Sequence, residues 1–272
     1  MTFPIDEKLK IGIQTIHREP DDQNGPWLPK IDELVDFVQL VDKSGFDSLW
    51  VGDHLSMPLP FFDPFQQLAQ AAVASRRLLL GTSVYLLPLR HPGPVAKQAI
   101  TLDHLSEGRL LFGVGIGGEF PKEYEVAGVP MNERGARLSE SIEVMRELWS
   151  GEPASYNGKF FTFSEVLMTP PPRQEGGPPI WCGGRKEAAF KRMGRLADGY
   201  VSYVVTPEMY RDALVKIEQA ANEANRKLNN FGTGHLIFTR VDDNYETALE
   251  TATSSLSKRY AMDFRRAAER YA

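Results

Sequence analysis

Cysteine is almost absent from this chain: Cys182 is the only one in 272 residues, so no internal disulfide can form. The fold therefore has no need of an oxidising compartment. Long apolar runs are missing too; nothing approaches the ~18 residues of a membrane-spanning helix. The opening Met-Thr-Phe-Pro-Ile-Asp-Glu-Lys lacks the basic start and apolar stretch of a secretory signal. A cytoplasmic protein without membrane attachment is the expectation. Positive charge is not in excess: 31 Lys and Arg face 36 Asp and Glu, a net charge of −5, which supplies no field for nucleic acid. Histidine is scarce at five residues. No His-x-His or Glu-x-x-His pair offers two metal ligands from one element, so no metal is expected.

What is present suits a globular enzyme or binding protein. Hydrophobic residues at 42% and charged residues at 25% argue against disorder, and the length allows a core that needs no staples. Short apolar segments recur at Ile11 to Ile16, Gly45 to Val51, Leu78 to Leu86, Leu110 to Val114, Ile180 to Cys182, Tyr200 to Val205 and His235 to Val241. Between them lie stretches with helical spacing, such as Ile31, Leu34, Val35, Val38 and Val41. Asp63-Pro64 and Thr206-Pro207 have the form of an N-cap followed by a first-turn proline. Periodicity lapses around 151–179, where Tyr156, Phe160, Phe161 and Phe163 suit a small hairpin and Pro170 to Pro172 forbid a long element. Tyr245 onward has helical character.

About seven strand and helix alternations without a linker predict one α/β domain over 1–272 with parallel strands. Its sheet is either an eight-stranded barrel or an open doubly wound sheet. No Gly-x-Gly-x-x-Gly fingerprint follows the first strand, which favours the barrel. In either fold, polar residues at the carboxyl ends of strands face the ligand.

Asp53 and His54 end the second strand, an imidazole that titrates near neutrality beside a carboxylate. They can serve chemistry, or cap a loop and pack. Gly115, Gly117 and Gly118 admit either a close ligand or a tight turn. Gly183-Gly184-Arg185-Lys186 opens a helix with free N–H groups and positive charge, a cradle for an anion or else a turn with solvated basic residues. His17, His54 and His91 each follow a predicted strand, the basis of a rival reading as a barrel metallohydrolase. Cys182 has no neighbouring base and reads as a small buried residue.

Several segments together resemble the luciferase-like monooxygenase superfamily. They are Gly45 to His54, Gly81-Thr82-Ser83-Val84, Arg90-His91-Pro92 through Gln98, Leu102 to Gly118, Glu133-Arg134-Gly135, Pro179 to Gly184 and Leu196 to Gly199. The resemblance spans roughly residues 10 to 240, in order. It implies a (β/α)8 TIM-type barrel and a flavin- or deazaflavin-dependent oxidoreductase that acts on a small organic substrate, by hydride transfer or oxygen activation.

By this resemblance His54 and Glu119 are candidate catalytic residues, with Glu119 displaced by one position from the family's acid. Asp53, Ser83, Val84, Gly115, Gly183, Gly184 and Arg185 are candidate cofactor-binding residues, and Ser83-Val84 matches a non-prolyl cis peptide. Asp53 with Ser83-Val84 places coenzyme F420 ahead of FMN. Pro58 stands where the sugar-phosphate dehydrogenases of the family have tryptophan, which argues against that substrate. The family's eighth strand has no counterpart before Ala272, so the expectation is either that the chain is shortened or that a partner chain or a rearranged terminal helix closes the wall, and a homodimer is the expected assembly. A flavin-binding protein without activity is the alternative that this gap suggests.

Overall fold

The computed structural model describes residues 9–15, 30–57, 60–260 and 263–271. Its first half alternates β1 (Gly12–Gln14), α1 (Ile31–Lys43), β2 (Ser48–Val51), α2 (Pro64–Ala74), β3 (Leu79–Thr82), α3 (Pro92–Leu105) and β4 (Leu110–Val114). Two helices follow, α4 (Pro121–Ala127) and α5 (Arg134–Leu148), then the hairpin β5 (Ala154–Asn157) and β6 (Thr162–Val166). The second half runs β7 (Ile180–Gly183), α6 (Glu187–Leu196), β8 (Gly199–Tyr203), α7 (Pro207–Glu223), β9 (Gly232–Leu236), α8 (Tyr245–Tyr260) and α9 (Phe264–Tyr271).

Seven strands pair in the order β1-β2-β3-β4-β7-β8-β9, every pair parallel, while β5 and β6 form a separate antiparallel hairpin. Parallel neighbours require crossovers, and the intervening helices provide them. Asp63 caps α2 by accepting the N–H of Phe65 at 3.1 Å and of Gln66 at 3.3 Å, and Thr206 caps α7 through Met209 N–H at 3.2 Å. Both caps lie where the sequence places them.

Alternation along each strand sends Leu49, Val51, Leu80, Phe112, Val114, Ile180, Cys182 and Tyr200 outward into the core shared with the helices. The opposite face carries Trp50 and Trp181, whose ring centroids lie 5.8 Å apart. Two full strands, β3 and β4, separate β2 from β7, so the sheet is rolled to bring these rings together. Glycines make the space: a Cβ at Gly81 would stand 2.2 Å from the Trp50 ring, and one at Gly232 would stand 2.1 Å from Trp181. This is the barrel interior that the sequence predicts, filled by two large rings set against small residues. Among the described residues, no eighth parallel strand pairs with β1 or β9.

Two local expectations need correction. The third strand ends at Thr82 and not at Leu86: a cis peptide joins Ser83 to Val84, and a short 3-10 turn occupies Leu87–Leu89. The last strand covers Gly232–Leu236 instead of His235 to Val241, because register is set by Gly232 and Gly234 beneath Trp181 and not by the apolar run that follows. Helix α4 falls in a segment whose glycines and charges gave no periodic signal. The expected hairpin does form, and its turn is held by Glu140 of α5, which accepts the N–H groups of Phe160 at 2.7 Å and Phe161 at 2.9 Å.

Candidate functional site

Beyond the Trp50 and Trp181 layer, the next inward positions at the carboxyl ends of the strands are small. Gly52 follows β2, Ser83 follows β3, Gly115 follows β4 and Gly183 ends β7. The result is a shallow ledge across the top of the sheet. Val84 lies on it: a Cβ at Gly115 would stand 2.3 Å from Val84 Cγ2, and one at Gly183 would stand 3.2 Å from Val84 Cγ1. These two glycines therefore admit the valine side chain, and Val84 itself becomes the floor of the ledge. The Ser83-Val84 peptide is cis, as the family resemblance implies.

His54 stands at one side. Its Nδ1–H donates to Glu123 of α4, 3.1 Å from Oε1 and 3.3 Å from Oε2. A carboxylate can only accept, so this partner fixes the neutral tautomer and leaves Nε2 on the opposite side of the ring. Glu123 is fully buried, and it also accepts Leu55 N–H at 2.7 Å and Ser56 N–H at 3.2 Å. The imidazole is further confined edge-on by Phe61 at 4.9 Å and Phe120 at 5.4 Å, yet its side chain keeps 19% exposure. The imidazole is thus held in one orientation while part of its edge stays open to solvent.

Asp53 points elsewhere. Its carboxylate takes a two-pronged ion pair from Arg90, at 2.5 and 2.8 Å, and accepts Leu86 N–H at 2.8 Å. Arg90 in turn lies over the Tyr85 ring at 4.3 Å. Asp53 therefore ties the end of β2 to the loop after β3, and the partner of His54 is Glu123 instead. Glu119 lies at the exposed rim, where Tyr203 Oη–H donates to it at 3.4 Å, and Arg185 lies over the same tyrosine ring at 4.9 Å. Arg185 also donates to Val204 O at 3.4 Å. Gly184 takes φ 146°, and a Cβ there would stand 2.6 Å from Ala189 of α6, so the turn into that helix requires glycine.

The structure thus brings Val84, Gly115 and Gly183 together beside Ser83, sets His54 just past the end of β2 against Glu123, joins Glu119 and Arg185 through Tyr203, and turns Asp53 toward Arg90. His17 lies outside the described residues. His91 caps α3 by accepting Gly93 N–H at 3.1 Å and meets Phe161 edge-on at 5.1 Å. Glu123 escaped sequence reasoning, since a glutamate just after Phe-Pro-Lys has the look of a solvated first turn. Gln14 escaped as well. Its Nε2–H donates to Ser83 O at 3.4 Å, and its Oε1, like Thr15 Oγ1, is buried with no hydrogen-bond partner among the described residues.

Cys182 lies in β7 with 1% exposure, and burial pushes its thiol up to about 12. The thiolate is the nucleophile, so the folded protein is expected to resist alkylation at about pH 8 and to label fully once denatured. Rapid labelling of the folded protein would contradict this placement.

Residues 9–271 match the family model described as luciferase-like monooxygenase. The F420-dependent glucose-6-phosphate dehydrogenase of Microbacterium testaceum is 30% identical over 255 residues, which cover 89% of this chain and 72% of that one. The oxygenase component of the flavin-dependent trigonelline monooxygenase of Acinetobacter baylyi is 33% identical over 156 residues, 57% of this chain and 43% of that one. Among solved structures, the monooxygenase RslO1 of Streptomyces bottropensis superposes with a TM-score of 0.78 at 26% identity, covering 95% of this chain and 82% of that one. No helix among the described residues is long and apolar enough to cross a membrane. The rolled parallel sheet and the matched span lead to one conclusion: the chain belongs to the luciferase-like monooxygenase family.

Proposed function

We propose that this single-domain chain is an oxidoreductase whose ledge holds a flavin or deazaflavin, coenzyme F420 ahead of FMN, and whose substrate is a small organic molecule. The observation that carries the reading is the His54 and Glu123 pair beside the ledge of Gly52, Ser83, Gly115 and Gly183. A flat ring suits a strand-end surface of small inward residues floored by Val84, and Gln14 Oε1, a buried acceptor without a partner among the described residues, suits a ligand that brings an N–H. The similarity to an F420-dependent dehydrogenase supports the deazaflavin, and the similarity to a flavin-dependent monooxygenase keeps FMN in view.

When bound, such a ring supplies the two-electron chemistry, and only a flavin also reacts readily with oxygen. The chain would do the rest. Val84, with Gly115 and Gly183, would support the ring, Gly184 and Arg185 at the start of α6 would face its anionic tail, and Asp53 would hold the β2 end in place through Arg90. His54 would give or take the proton that balances charge on the substrate, with Glu123 fixing its orientation and tautomer. Glu119 is the second candidate acid, at the rim.

Fluorescence titration with F420 and with FMN tests the reading. Micromolar binding of F420, with FMN weaker by at least about tenfold, is the expected result. Binding of neither would sink it. A homodimer in the cytoplasm completes the proposal. It is supported by Leu40 of α1 at 63% exposure and Val73 of the adjoining α2 at 72%, and by the lone buried cysteine. Light scattering would decide the assembly.

A further inference from the structure

Gln14 is the one amide side chain at the carboxyl end of β1, and it reaches sideways across β2 to the end of β3. Gly52 makes the passage: a Cβ there would stand 3.5 Å from Gln14 Nε2 and 2.9 Å from the Phe61 ring. Phe61 is the same ring that confines His54. Gln14 thus belongs to the cluster that forms the proposed pocket, beside the residue that precedes the cis peptide.

The orientation of the amide follows from its partner. Ser83 O can only accept, so the NH2 half must face it, at 3.4 Å, and Oε1 must lie on the other side. That oxygen is shielded from solvent and receives no hydrogen bond among the described residues. Buried side-chain acceptors without donors are uncommon, and one beside the ledge suits a donor carried by a ligand. Most polar atoms on the edge of a flavin or deazaflavin are carbonyls and bare ring nitrogens, which Gln14 Oε1 would repel. The imide N–H is a donor in both rings and in both of their redox states.

We propose that Gln14 is a ligand-reading residue: Oε1 accepts a hydrogen bond from the imide N–H of the bound ring, while Nε2–H braces the Ser83 carbonyl. The inference rests on the ring-binding function proposed above. It differs from a packing role in its consequences. Removing an unpartnered buried oxygen costs the ligand-free protein little, because no bond to Oε1 exists to be lost and the bond from Nε2 is long. Removing it from the complex deprives the ring of an acceptor.

The test compares wild type with Gln14→Met, an unbranched apolar side chain of similar length, and with Gln14→Leu as a second shape should the first fail to purify. Dissociation constants for FMN and F420 are measured by fluorescence without substrate, beside the thermal midpoint of the ligand-free proteins. The expected result is binding weaker by about tenfold, the worth of one buried hydrogen bond, with a thermal midpoint within about 2 °C of wild type. Equal ring affinity in wild type and variant would overturn the role of Gln14 and leave the proposed function standing, whether the midpoint falls or only the substrate KM rises. If wild type binds neither ring, the proposed function fails and this inference with it.

Discussion

Glu123→Gln is expected to lower turnover by about 10²-fold or more while changing ring affinity by less than about threefold. The amide oxygen of glutamine can still accept the N–H groups of Leu55 and Ser56, which now go to Glu123 Oε1 at 2.7 and 3.2 Å. The same oxygen would stay 3.1 Å from His54 Nδ1, while the NH2 half would take the place of Oε2, 3.3 Å from that nitrogen, and set a donor against its N–H. The pair would keep one acceptor for the Nδ1–H but lose the second acceptor and the negative charge of the carboxylate, so the orientation and tautomer of the ring are held less firmly. His54→Ala is expected to fall within about 10²- to 10⁴-fold below wild type, and the double variant to be no worse than His54→Ala alone, because the two side chains act as one unit. Steady-state kinetics with saturating cofactor would check this. Turnover of Glu123→Gln within twofold of wild type would remove the pair from the mechanism.

Asp53→Ala is expected to be the most destabilising single change at the site. It would leave the Arg90 guanidinium, whose side chain is only 17% exposed, without its counter-charge, and Leu86 N–H without an acceptor. Breaking a buried ion pair on one side costs about 3–5 kcal/mol, or roughly 10 °C in thermal midpoint for a chain of this size. Asp63, at 3.9 Å from Arg90 and 39% exposed, is too distant to take over. Replacing both partners, with Asp53→Leu and Arg90→Met together, should recover most of the loss, since no charge is then left buried. A midpoint for Asp53→Ala within about 3 °C of wild type would show that solvent reaches Arg90 and that the pair is dispensable.

Most of the architecture was legible in the chain, because alternation and helical spacing are local properties. The α1 stripe of Val38 and Val41, the caps at Asp63 and Thr206, and the outward set Leu80, Phe112 and Val114 all follow from the identity of near neighbours. The misplaced strand ends have a different origin. Apolar residues from Leu78 to Leu86 look like one strand, yet the ladder breaks at Ser83-Val84 and resumes only as a single bridge from Tyr85 to Val114, with the Tyr85 ring stacked on Phe65 at 4.8 Å. Likewise the chain after Leu236 is apolar, but the sheet takes Gly232 and Gly234, because only they fit under Trp181.

The candidate site was half legible, for the same reason. Its place at the strand ends, and the choice of His54, Ser83-Val84 and Gly183-Gly184, came from order and resemblance along the chain. The partners did not. His54 and Glu123 are 69 residues apart, Asp53 and Arg90 are 37 apart, and Gln14 and Ser83 are 69 apart. By itself, the sequence determined a parallel α/β sheet, its family resemblance and the loops that carry polar residues, since these depend on patterns of a few residues. Tertiary structure alone decided which carboxylate serves His54, that Asp53 answers to Arg90, that Gly115 and Gly183 make room for Val84, and that Gln14 keeps one oxygen unpaired. Those outcomes depend on which side chains the rolled sheet brings within about 3 Å of one another, the range of a hydrogen bond, and spacing along a chain does not encode that distance.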